Sequence, residues 1–192
     1  MIAAALDHIA AYLNQALRRR FLVDEDFAVV APVTETDGSA AIHVANKLAI
    51  FLVNIERDTV AHAGPGNSSA SRALQRPMPI YLNLRMMIAA SFGASNYREA
   101  LKLLSNAISL LQIQSVFDRQ NTPELDPRLD KLIVDLESLS SNDLSNLWGV
   151  LGGRYLPSAL YRVRMVAYDS TAISARVPVI SGTDSGIVPR GN

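Results

Sequence analysis

The chain contains no cysteine, one tryptophan and three histidines in 192 residues. The lack of cysteine excludes disulfides, thiolate metal sites and cysteine nucleophiles. The histidines, His8, His43 and His62, show no metal-ligand spacing such as H-x-x-x-H. Long apolar runs are missing as well. Leu48 to Val53 spans six residues, whereas a membrane-crossing helix needs about 20. Charge is scarce: 19% of residues are charged, 18 basic against 18 acidic, where soluble domains usually show about 25%. A net charge of zero argues against a general nucleic-acid binder, and a hydrophobic content of 49% argues against disorder. No G-x-S-x-G elbow is present. Gly64-Pro65-Gly66-Asn67-Ser68-Ser69 is followed by no lysine that would meet a phosphate. The residues therefore point away from an enzyme and imply no cofactor and no metal.

What is present is patterning. The length fits one domain, large enough to bury roughly 70% of its unfolded surface. Ile2, Leu6, Ile9, Leu13 and Leu17 share one helical face, and Arg18, Arg19 and Arg20 sit where a helix C-terminus favours cations. Asp7 and His8 interrupt any signal-peptide core, so the expectation is synthesis in the cytoplasm without a signal peptide. Phe27 to Ala31 reads as a short strand stopped by Pro32. Thr34 to Ser39 is a turn, and Ile42 to Glu56 a strand apolar on both faces. Residues 57 to 79 form a long polar loop. Ile80 to Ile88 alternates as a strand. Asn96 and Glu99 resemble a capping box opening a helix over 96 to 115. Its expected stripe is Tyr97, Leu101, Leu104, Ile108 and Leu111. Leu132 to Glu137 reads as a strand. Ser140 and Asp143 cap a helix bearing Leu144, Leu147, Trp148 and Leu151, which Gly152-Gly153 ends. Ala159 to Tyr168 is the last strand.

The order α-β-β-β-α-β-α-β predicts an α+β fold. The expected architecture is a single compact domain, residues 1 to 169, with a mixed, largely antiparallel sheet flanked by helices. An extended C-terminal arm, residues 170 to 192, follows and is rich in Ser, Thr, Gly and Pro.

Few residues carry candidate chemistry. Arg162 and Arg164 share one face of the last strand, with Arg154 and Arg85 as neighbours in one reading; Asp135 and Glu137 share a face of the preceding strand. A phosphate patch and a carboxylate pair are the functional alternatives. Pairing with acids on a neighbouring strand or subunit is the favoured reading for the arginines, and solvated or interface charges for the two acids. Trp148 lies on a leucine stripe and is expected in the core, with a partner anchor as the alternative.

Two segments then carry a family resemblance: RPMPIYLNLRMMIAASFGASNYREALKLLSNAISLLQ, residues 76 to 112, and LDKLIVDLESLSSNDLSNLWGVLGGRYLPSALYRVRM, residues 129 to 165. With the N-terminal helix and LAIFLVNIERD, they resemble the cap, or tail-terminator, proteins of extracellular contractile injection systems. These are phage-tail-like particles such as the antifeeding prophage. The resemblance covers roughly residues 1 to 168 and fails over Ala61 to Ala73 and after Asp169. It implies a structural protein of bacterial origin: a homohexameric ring that ends the inner tube, contacts the last sheath ring and stabilises the extended particle. The implied partners are the chain itself, the inner tube protein and the sheath protein, with no nucleic acid and no direct membrane insertion. The particle is either released or anchored. Arg85, Arg154, Arg162, Arg164, Asp135 and Glu137 are the expected subunit, sheath or tube contacts. The alternative is a monomeric adaptor or small-ligand-binding α+β domain.

Overall fold

A computed structural model describes residues 1–35, 37–58, 79–152 and 154–168. The chain forms α1 (Ile2–Phe21), β1 (Ala28–Val30), β2 (Lys47–Arg57), β3 (Pro79–Ser91), α2 (Tyr97–Ile113), β4 (Val116–Asp118), β5 (Leu129–Glu137), α3 (Ser141–Val150) and β6 (Ser158–Tyr168). The six strands make one sheet in the order β1-β2-β3-β6-β5-β4. β1 runs parallel to β2, and every other pairing is antiparallel. This is the mixed, largely antiparallel α+β sheet that the patterning implies. β4 is an addition: three residues are too short to leave a periodic signal.

The sheet has two unlike faces. On one, α1 and α2 bury a continuous apolar core. Leu6, Ile9, Leu13 and Leu17 of α1 meet Leu48 and Ile50 of β2, Met86 and Ile88 of β3, and Val163 and Met165 of β6. On the other face α3 and the segment 31–44 cover one end only. Trp148 is buried there with Ala49, Phe51, Met87, Ala89 and Leu160. Trp148 is thus a core residue, and β2 is apolar on both faces over Leu48–Phe51.

Several boundaries move for local reasons. β2 begins at Lys47, not Ile42, because Ile42–Val44 form a 3-10 turn and Asn46 is left-handed at φ 58. A β-bulge falls between Leu52 and Asn54. It reverses the alternation, so Ile55 pairs with Leu84 on the two-helix face while Asn54 and Glu56 sit opposite Arg85 and Asn83. The expected capping box at Asn96 and Glu99 does not form. A 3-10 turn over Ala94–Asn96 leads into α2 without a side-chain cap, and Glu99 pairs with Lys102 at 2.8 Å. The buried stripe of α2 is also rotated from the expected one. Ala100, Leu103, Leu104, Ala107 and Leu111 face the core, and Tyr97 and Leu101 are exposed. The two alanines let the helix lie close on the sheet. The Ser140 cap does form: its Oγ accepts the Asp143 N–H at 3.2 Å. Gly152, at φ 101, follows the end of α3 in a conformation that disfavours side chains. The segments expected as the loop over 57–79 and the arm over 170–192 fall mostly or wholly outside the described residues.

Candidate functional site

The half of the α3-side face that α3 leaves bare carries five of the six expected contact residues. β3 supplies Arg85, β6 supplies Arg162 and Arg164, and β5 supplies Asp135 and Glu137. Their side chains point outward because their strand neighbours Leu84, Met86, Val134, Tyr161, Val163 and Met165 point into the two-helix core. Arg162 Nη2 donates to Glu137 Oε1 at 3.1 Å, and Arg164 Nη2 donates to Asp135 Oδ2 at 2.9 Å. Arg85 approaches Glu137 at 3.6 Å and Glu56 at 3.0 Å.

The register explains this arrangement. Arg85 lies directly opposite Arg162, a like-charge pair that by itself opposes pairing of the strands. Glu137, the least exposed member of the set at 16%, reaches both guanidinium groups and offsets the repulsion. Three arginines and three carboxylates thus form a neutral ladder. Its cations are matched by carboxylates, which disfavours the phosphate patch, and each carboxylate pairs with an arginine rather than with another acid. Glu56 is the member that sequence reasoning missed: only the bulge in β2 turns it to this face, and no periodic signal marks the bulge.

Arg154 stands apart. It follows α3 and lines a depression of about 570 Å³ with Thr34, Ile42, Phe92 and Leu156. It makes no ion pair among the described residues. A larger groove, about 930 Å³, runs beside α1 and includes Asp7, His8 and Glu124. His8 packs edge-on against Phe117 at 5.4 Å. Burial pushes the His8 imidazole pKa down, and the Glu124 charge partly opposes that shift. Both hydroxyls in the groove wall are engaged, Thr122 donating to the Asp118 carbonyl at 2.8 Å and Tyr12 to the Leu110 carbonyl at 3.2 Å. Among the described residues no group of three or more His, Cys, Asp or Glu side chains is placed to hold a metal. Among them, too, no helix is long and apolar enough to cross a membrane.

A six-stranded mixed sheet with two helices on one face, one helix on half the other and a neutral ion-pair ladder beside it defines an α+β domain without a built catalytic constellation among the described residues. The family model described as the Pvc16 N-terminal domain matches residues 5–182, and the chain belongs to that family. The fold is similar to that of the anti-feeding prophage cap, a tube-terminating cap solved by cryo-electron microscopy. The TM-score is 0.52 and the identity 20%, over 88% of this chain and 58% of that one. The sheath/tube terminator of an extracellular contractile injection system, PVC, in its extended state aligns with a TM-score of 0.49 and 20% identity, over 94% of this chain and 65% of that one. The chain therefore spans less than two thirds of the length of either protein. No curated protein sequence matches it.

Proposed function

We propose that the chain caps a contractile injection particle, with six copies closing a ring on the distal end of the inner tube and contacting the last sheath ring. In this role it ends tube and sheath growth and holds the extended sheath in register. The observation that carries the reading is the family match across residues 5–182, supported by the fold shared with a tube-terminating cap. The role is structural and calls for no catalysis and no cofactor. Its partners are further copies of the chain, the inner tube protein and the sheath protein, and the particle is assembled inside the bacterial cell.

A closed ring requires head-to-tail contacts, so each copy must present two different surfaces. Residues 1–169 form the ring body in this reading. Residues 170–192 act as an arm lying along a neighbour or adding a strand to its sheet. The ladder of Arg85, Arg162, Arg164, Asp135, Glu137 and Glu56 would set register against a partner more than affinity, because its charges are already paired.

Purified protein should run near six times 20.8 kDa, alone or on isolated tubes, and show sixfold rings by electron microscopy. A persistent monomer with no affinity for tube or sheath would sink the reading and favour the adaptor alternative. Removing residues 170–192 should leave the domain folded and weaken attachment of the ring. Particle assembly at wild-type yield would refute the arm.

A further inference from the structure

The segments that follow α1 and α3 carry exposed apolar side chains, and a groove and a depression lie beside them where β2 begins and β3 ends. On the two-helix side, a groove of about 510 Å³ opens between the end of α1 and the start of α2, lined by Phe21, Val23, Phe27, Phe92 and Leu103 with Glu25 at its rim. Phe21, Leu22 and Val23 are 38%, 91% and 44% exposed. Three consecutive apolar residues left in water are unexpected unless something covers them. Leu22 is also left-handed at φ 55, a conformation that ordinarily favours glycine and costs a leucine about 1 kcal/mol.

The α3 side carries exposed apolar side chains of its own. Val150 is 87% exposed, and Tyr155 is 61% exposed although its ring packs edge-on against buried Trp148 at 5.8 Å. Trp148 thus holds Tyr155 in a fixed orientation while most of its surface stays in solvent, the arrangement expected of a preorganised contact anchor. Arg154 adjoins it. The groove and the depression beside Arg154 share Asn46, Phe92 and Asn96 in their walls, so both lie at one end of the sheet.

We propose that these two patches are the two halves of one subunit contact: Val150, Arg154 and Tyr155 of one copy seat on the Phe21–Val23 groove of the next. This inference rests on the ring reading above and names its interface. Charge favours a second copy as the occupant. Lys102 in the groove wall is already paired with Glu99, whereas Glu25 in that wall and the adjacent Asp24 form no ion pair among the described residues, and neither does Arg154. Docking brings these opposite charges together around an apolar centre, as protein interfaces prefer. Because two different patches meet, the contact is heterologous, which leaves a groove free at one end of any open chain of copies and a knob at the other.

The test uses the full chain, whose lack of cysteine makes introduced thiols the only ones present. Under oxidation, the double variant Val23→Cys with Val150→Cys should give a covalent ladder ending at six copies. Either single variant should stay monomeric on a denaturing gel. A second arm mixes Val23→Asp protein with Val150→Asp protein. Both sites are exposed, so each variant should melt with the wild type and run as a monomer. The mixture should give a two-copy species, because one intact groove meets one intact knob. If the wild-type chain forms hexamers but the double variant does not cross-link, or the mixture stays monomeric, this interface is wrong and the ring reading stands. Cross-linking by a single variant, or to tube or sheath protein instead, also overturns it. Wild-type protein that stays monomeric with tube ends present overturns both.

Discussion

The two faces of the sheet handle the same strands in different ways. Under α1 and α2 every strand contributes to one apolar layer, and the removed side chains have many neighbours to share their space. On the α3 side the apolar layer stops halfway, and beyond it the strands are faced with arginine and carboxylate. Burial stabilises the first surface at roughly 25 cal/mol per Å² of apolar area removed from water. Partly exposed ion pairs contribute only about 0–1 kcal/mol each. The two-helix face therefore carries most of the stability. The α3-side face is left free to differ in shape and charge.

The contrast is sharpest at Trp148, the one buried residue of α3. Trp148→Ala should cost about 4 kcal/mol by the usual penalty for emptying a large aromatic site. Because α3 has no second buried anchor, amide exchange over residues 141–150 should speed up far more than over α1. Uniform acceleration across both helices would remove the distinction between the faces. Leu13→Ala should cost about 3 kcal/mol, read as a lower urea midpoint with an unchanged slope. Here the loss should be global, since Leu13 packs in the continuous layer under α1.

The ladder should respond more weakly. Glu137→Ala leaves Arg85 and Arg162 facing each other with no carboxylate between them. It should cost about 1 kcal/mol at low salt, and less at high salt, where the repulsion is screened. Urea unfolding at two ionic strengths checks this. A deficit that does not change with salt would mean that Glu137 acts through packing instead.

Much of this organisation is legible in the residues. The α1 stripe, the alternation in β3 and β6, the Ser140 cap and the arginine–carboxylate pairing across β5 and β6 follow from local periodicity and spacing. The errors share a cause: each depends on a tertiary choice. The bulge that turns Glu56 outward, the rotation of α2 about Ala100 and Ala107, and the pairing of three-residue β4 are settled by what lies across the sheet. Arg154 looked like its fellow arginines by composition, but it sits after α3 and not on a strand, so no sheet register connects it to them.

The smallest predicted effect concerns Tyr161, which lies on the two-helix face, 2% exposed. Its hydroxyl has no hydrogen-bond partner among the described residues, and burial pushes its pKa up to about 12. A buried hydroxyl without a partner loses its hydration on folding and gains nothing in return. Removing it leaves the ring, which supplies the packing, in place. Tyr161→Phe should therefore change stability by less than about 0.5 kcal/mol or raise it slightly, in contrast to the usual penalty for altering a buried polar residue. If thermal unfolding instead shows a loss of about 1 kcal/mol or more, the hydroxyl has a partner, and the two-helix face is less uniformly apolar than its other side chains imply.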